Sequence, residues 1–394
     1  MEIWRVLAVE SPTAILWRLG QTRLATLPDG VAARPGDLFT PGWQKLGQSQ
    51  TDAFPHPDGD FARLSADHGR LLHILKQRAR LLATTRKFFD RRGFLEVDPP
   101  MMALSPGLEL HLDAVQVALR QGMGGTPVTR HLVTSPEYHC KRLLSTGLEQ
   151  IYSLGHVFRS GERGQWHNPE FSMLEWYRAG GSWQQIVRDF QGLARACQNV
   201  LGQDNRTLDL RRRWPVLSVR RAIARFGGFD PGRCDQEALV KQRARAAGLQ
   251  VDAQDGIADV LLRALAERVE PQLATFPVVV LTEWPLCMAS LARPNPAKPW
   301  LAERFEIYFA GVEIANGFGE LVDPVEQRRR FEADLARRHE LGRPEYPIDE
   351  RLLRAMEDGL PRAAGVAVGM DRLLMLLLDL HDIADVLPFP FERA

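Results

Sequence analysis

Residues 158 to 177 read FRSGERGQWHNPEFSMLEWY. An apolar run ends at Arg159, a short polar loop follows, and a second run leads to Glu175 and Tyr177. This order predicts two strands of a hairpin, with one arginine fixed where the first strand stops. A planar guanidinium held that way can grip phosphate and carboxylate oxygens together. The loop behind it can fold over a nucleotide. The segment therefore suits an antiparallel hairpin with an anionic ligand bound at its arginine.

The 394 residues suffice for one large domain plus a small one. Apolar content of 45% and charged content of 25% are ordinary for a soluble globular protein. A net charge of +1 gives no global basic field of the kind that draws a chain to nucleic acid. Cys140, Cys197, Cys234 and Cys287 are scattered without a CxxC pair, so neither a zinc site nor a disulfide framework is indicated. The start, MEIWRVLAVESP, lacks the basic opening and apolar core of a signal peptide. No uncharged apolar stretch reaches spanning length, LLMLLLDL at 373 to 380 included. The expected location is the cytoplasm, with no membrane contact.

Residues 1 to 46 read as short strands (WRVLAVE, AILWRL, TRLATL, DLF) punctuated by SPT, LGQ and PDG. They predict a small β-rich segment, a barrel or part of one. Residues 47 to 66, rich in Pro, Asp and Gly, read as a linker. A larger domain is expected over 67 to 394. It opens with the helical pattern LLHILKQRARLLATTRKFFDRRG, ended by Gly93, and a strand FLEV stopped by Pro99 and Pro100. Helices are predicted at 183 to 202, 235 to 270 and 371 to 380, and strands at 276 to 281 and 304 to 318. Antiparallel strands with helices on one side make the fold class α+β.

Three further segments carry chemistry. In TSPEYHCKRLL, 134 to 144, Ser135 can cap a helix, Pro136 suits its first turn, and Glu137 favours the positive end of the dipole. In ERFEIYFAGVEIANGFGEL, 303 to 321, a two-residue turn at Ala310-Gly311 sets Tyr308 opposite Glu313. Glu306 shares the face of Tyr308, so Glu306 and Glu313 become diagonal neighbours roughly 6 Å apart. Two carboxylates that close call for a cation, and magnesium with triphosphate oxygens suits them. In GVAVGMDRLLMLLLD, 365 to 379, Arg372 falls in the first turn of a helix, where backbone amides already attract anions.

Taken in order, these segments resemble the class II aminoacyl-tRNA synthetases over about residues 68 to 394. The helix with GFLEVDPP and its Pro100 is similar to motif 1, the Arg159 stretch to motif 2 in its lysyl form, and the Arg372 stretch to motif 3. The resemblance narrows to the short lysyl-type relatives that attach lysine or β-lysine to a lysine of elongation factor P. The first 46 residues are too few for an anticodon-binding domain, and SPEYHCKRLL and HNPEFSMLEWY look like the short branch. Ala367 stands where the tRNA enzymes have glycine.

The resemblance implies the class II synthetase catalytic fold, ATP and Mg²⁺ as cofactors, a homodimer built on motif 1, and elongation factor P as acceptor in place of tRNA. It implies that Arg159 bridges the substrate carboxylate and the α-phosphate, and that Arg372 meets the γ-phosphate. His167 and Asn168 would hold ATP and Phe171 would stack on adenine, with Gly161, Ile307 and Gly369 in the same site. Glu306 and Glu313 would carry the metal. Ser135, Pro136, Glu137, Glu175, Tyr177, Glu313, Glu320 and Ala367 would surround the amino acid, whose ammonium groups need such acceptors. Three positions depart from the family pattern. Gly161 replaces a glutamate, with Glu162 beside it as substitute; Gln165 replaces an arginine; Gly319 replaces a residue that is often histidine. The alternatives are a trimmed lysyl-tRNA synthetase and an inactive relative used as a binding module.

Overall fold

The computed structural model describes residues 2–50, 54–56, 58–120, 125–202 and 208–394. They fall into two compact units: residues 1–80 with 384–389, and residues 81–383 with 390–394.

The first unit holds a five-stranded antiparallel sheet in the order Gln21–Thr26, Thr13–Arg18, Trp4–Glu10, Leu38–Phe39, Lys45–Gly47. Trp4, Val6, Ala14, Leu16 and Phe39 form its core, as the alternation along WRVLAVE and TAILWR requires. The last strand runs past the expected boundary at 46. The predicted linker over 47 to 66 needs correction as well. A helix Asp60–Asp90 begins inside it, with an acidic residue in the first turn and Phe61 packed 5.1 Å from Trp17. Proline and glycine at 55 to 59 hid that start; residues 51–53 and 57 of the expected linker lie outside the described residues. The helix ends as predicted, with Gly93 at φ +75° and the Phe94 amide donating to the Phe89 carbonyl.

The second unit is organised by an eight-stranded sheet. Its order is Val216–Ser218, Val278–Thr282, Arg304–Phe309, Val312–Gly319, Ala363–Gly369, Glu170–Ala179, Gln150–Phe158, Leu95–Glu96. The six central strands are antiparallel and each edge strand pairs parallel to its neighbour. FLEV contributes only Leu95–Glu96.

Period-2 alternation gives this sheet two characters. On one face Leu174, Trp176, Tyr152, Ile307 and Phe309 are buried. Helix Trp183–Leu201 covers them with an apolar stripe, Ile186, Val187, Phe190, Leu193, Ala194, Cys197 and Leu201. Phe190 stacks 5.8 Å from Phe309, and Phe89 stacks 4.8 Å from Tyr152. The other face carries the polar side chains. Two helices on that side, Pro324–Glu340 and Glu350–Glu357, escape the sequence reading, although Asp323 and Asp349 cap both. Arg338 of the first is fully buried; it donates to the carbonyls of Glu109, Leu112 and Pro344 and pairs with Asp113 at 2.6 Å.

Candidate active site

A cavity of about 490 Å³ opens on the polar face. Its floor is a row running across four strands. Glu306 lies opposite Asn316, Asn316 opposite Ala367, and Ala367 opposite Glu175. One step along, Arg304, Phe318, Gly365 and Tyr177 form a second row. Strands lie about 4.8 Å apart, so Glu306 and Glu175 are separated by about 14 Å. The central strand turns Gly365, Ala367 and Gly369 toward the cavity, and these small residues give it depth. A Cβ at Gly365 would collide with the Tyr177 ring and come within 2.8 Å of Glu320 Oε1.

The Glu175 end is a nest of buried acids. Ser135 donates to Glu175 Oε1 at 2.6 Å and Tyr177 donates to Oε2 at 2.7 Å. The Ser135 hydroxyl also accepts the Glu137 amide at 3.0 Å, so it does part of the capping expected of it while Pro136 stands at the N-cap. Burial, and then the charge of Glu137, push the Glu175 carboxyl up to about 8. Burial likewise raises Glu320 to about 7, opposed by Lys141. Lys141 ion-pairs with Glu137 at 2.6 Å and Glu320 at 2.7 Å. Burial alone would lower the Lys141 pKa, but these two carboxylates outweigh it and keep the ammonium charged.

The other end holds the arginines. Strands Gln150–Phe158 and Glu170–Ala179 pair from Phe158↔Glu170 onward, which places Arg159 at the mouth of the hairpin as predicted. Its guanidinium lies 5.1 Å from the Phe171 ring centroid and 3.6 Å from Glu162. Glu162 thus stands beside the arginine. Gly161 itself sits at φ +80°, where glycine is favoured. Arg372 donates to the backbone carbonyls of Trp166 and Glu313, each at 3.0 Å. Burial and Arg372 both lower the pKa of His167.

Between the ends lie the two glutamates of the hairpin. The turn and the Tyr308↔Glu313 pairing are as predicted, but a bulge follows: Ile307 pairs with Ala315. The extra residue, Ile314, turns the strand so that Asn316 comes opposite Glu306. Glu306 is held by Arg304 at 2.6 Å and by the Tyr308 hydroxyl at 2.7 Å. Burial, and then Glu306, push Glu313 up to about 7. Asn316 Oδ1 is buried without a hydrogen-bond partner and its residue lines the cavity. Two close carboxylates and one orphaned amide oxygen are a donor set that suits a hard cation such as Mg²⁺.

Of the residues expected here, Arg159, His167, Asn168, Phe171, Glu306, Gly369 and Arg372 line the cavity, as do Ser135, Glu137, Tyr177, Glu313, Glu320 and Ala367. Glu175 does not reach the lining: it is buried and hydrogen-bonded to the lining residues Ser135 and Tyr177. Pro136, Gly161 and Ile307 do not. Ile307 is excluded by alternation, because Glu306 and Tyr308 on either side take the cavity face. Asn168 lines the wall with its amide engaged: Oδ1 accepts from the Phe391 amide at 3.0 Å and Nδ2 donates to the Glu170 carbonyl at 2.7 Å. Gly319 is favoured by packing, since a Cβ there would meet the ends of the Glu303 and Arg293 side chains, which are ion-paired at 2.5 Å.

Sequence reasoning missed Lys141, Asn316 and Glu109. Lys141 was visible as the i+4 partner of Glu137, and Asn316 needed the bulge. Glu109 lines the cavity, has a buried unpartnered Oε2, and is pushed up to about 7 by burial and by Glu137. Nothing in its sequence context announces it, because distant Arg338 positions its loop.

Family comparison accords with this geometry. A model of the class II tRNA synthetases (D, K and N) matches residues 61–393. The chain belongs to that family. Within it, the chain is 38% identical over 321 residues to the elongation factor P–(R)-beta-lysine ligase of Proteus mirabilis, covering 81% of this chain and 95% of that one. It is 40% identical over 322 residues to the enzyme of the same name from Vibrio cholerae (81% and 96%), and 37% over 331 residues to that of Haemophilus influenzae strain PittGG (84% and 97%).

Proposed function

We propose that this chain is an ATP-dependent ligase that activates lysine or β-lysine as the acyl-adenylate and transfers it to a lysine of elongation factor P. The observation that carries the reading is the division of the cavity: buried Glu137 and Glu320 at one end, backed by Glu175 on Ser135 and Tyr177, and Arg159 and Arg372 at the other. Such a cavity suits a molecule with ammonium groups and a carboxylate meeting a triphosphate between them. The names of the relatives favour the β isomer.

The substrate ammonium groups lie among Glu137, Glu175, Glu320 and the Tyr177 hydroxyl. The carboxylate is thereby turned toward Arg159, which holds it beside the α-phosphate. One carboxylate oxygen attacks the α-phosphorus in line, and pyrophosphate leaves. Arg159 and Arg372 offset the charge spread over the phosphate oxygens. Glu306, Glu313 and Asn316 would hold Mg²⁺, which supplies further positive charge to the triphosphate. The amine of the acceptor then attacks the acyl carbon; the bond to AMP breaks and an amide forms. No side chain of the enzyme becomes acylated, so positioning supplies much of the rate.

We place the reaction in the cytoplasm, in keeping with four unpaired cysteines, and no helix among the described residues is long and apolar enough to cross a membrane. Leu95, Met101, Met102 and Leu104 at motif 1 are exposed and apolar, and we assign them to a homodimer contact.

Intact-mass spectrometry tests the proposal. Elongation factor P from the same organism is incubated with the enzyme, Mg-ATP and either isomer, with bulk tRNA as a parallel acceptor. A gain of one lysyl unit on the protein, without tRNA charging, is expected. Charging of tRNA alone would move the chain to the trimmed synthetases. Modification of neither, without pyrophosphate exchange, would mark an inactive relative.

A further inference from the structure

Lys141 lies inside the short helix Glu137–Leu144, is 1% exposed, and does not itself line the cavity. Its ammonium stands behind the acid nest, 2.6 Å from Glu137 Oε1 and 2.7 Å from Glu320 Oε2. Burying an ion pair is a poor route to stability, because desolvation consumes much of the Coulombic gain. A methionine would fill the same channel without that cost. The charge itself therefore calls for a reason.

Once a bound cation favours their ionised forms, Glu137, Glu175 and Glu320 present three negative charges, and Lys141 offsets one. Two remain, and the acid of the proposed reaction carries two ammonium groups. Lys141 also takes one oxygen from each of two glutamates. Glu320 Oε1, beside Gly365 on the cavity floor, is left buried and without a hydrogen-bond partner. Removing one partner of such an arrangement leaves an uncompensated buried charge and frees both carboxylates to turn.

We propose that Lys141 is a positioning residue of the amino-acid pocket: an internal ammonium that fixes Glu137 and Glu320 from behind and sets the pocket to the charge of a diammonium acid. The inference rests on the lysine or β-lysine reading given above. Lys141 acts only through the two glutamates and touches neither reacting carbon nor phosphorus.

The test is ATP–pyrophosphate exchange by the full chain, with lysine and β-lysine varied separately from ATP. Lys141→Met is expected to raise KM for the amino acid by about tenfold or more, since tenfold corresponds to about 1.4 kcal/mol. KM for ATP should stay within about twofold on the same scale. Lys141→Ala lacks the atoms of a propylammonium ion, so added n-propylammonium should restore amino-acid affinity while n-propanol does not. If the methionine variant fails to fold by circular dichroism, Lys141→Arg keeps the charge but is too large for both ion pairs, and should show the same split in KM. An unchanged amino-acid KM, or an equal rise in both KM values, overturns the inference. Absence of exchange in the unaltered chain overturns the lysine reading, and this inference with it.

Discussion

The two ends of the cavity are held in opposite ways. At the acid end the three glutamates of the nest each have an internal partner: Glu175 has two hydroxyls, and Glu137 and Glu320 share Lys141. At the arginine end the cations rest on weaker partners. Arg372 leans on two backbone carbonyls, and Arg159 stands 3.6 Å from Glu162 and over Phe171. Carboxylates buried together repel, so the fold must hold them before substrate arrives. Arginines stay charged and solvated near the mouth, and a polyphosphate can recruit them on binding. One end is built in advance, and the other is completed by its ligand.

Substitutions can break this contrast. Arg159→Ala should abolish adenylate formation, with a loss of about 1,000-fold or more in pyrophosphate exchange, because a transition-state charge loses its partner. Near wild-type exchange would sink the motif 2 assignment. Glu175→Gln removes the carboxylate charge and turns one hydroxyl's acceptor into a donor; KM for the amino acid should rise about 100-fold in steady-state assays while ATP affinity holds. If ATP affinity falls equally, the ends are not independent. Ala367→Gly removes one methyl from the floor between Asn316 and Glu175. It should change the ratio of kcat/KM for lysine over β-lysine by about tenfold, the usual worth of such a group, measured by competition.

The smallest effect is on pH dependence. The folded chain keeps Glu175 protonated up to about 8, and Glu313 and Glu320 up to about 7, against an ordinary value of 4.5. Over that window the folded state binds more protons than the unfolded one, so these groups make stability fall as pH rises. The thermal midpoint of the protein without ligands should drop from pH 5 to 8. Saturating amino acid, which favours the ionised carboxylates, should flatten the slope. A midpoint that rises over this range would mean that other groups dominate.

Much of this was legible in the sequence. The hairpin of Arg159, the turn at Ala310-Gly311 and the helix of Arg372 are local, and local spacing is what a sequence displays. The cavity face of Ala363–Gly369 also follows from alternation once the strand is recognised. What escaped depends on distance or register. Asn316 reaches its row only through the bulge at Ile314. Ile307 was expected in the site through the resemblance, yet its neighbours take the cavity face. The helix Pro324–Glu340 is mostly charged, so no apolar stripe revealed it, and its buried Arg338 holds a loop more than 200 residues away in sequence. The helix start at Asp60 was masked by the prolines and glycine before it.

Gly319 bears on the history of such chains. Because its missing side chain is filled by the Arg293–Glu303 pair, a histidine could not enter this position by a single substitution without expelling one of them. The three positions form a linked character: a side chain at 319 requires the ends of Arg293 and Glu303 to move. A residue that looks like an isolated departure when the sequence is read one position at a time is thus one third of a joint change, and transplanting it alone between relatives would carry the incompatibility with it.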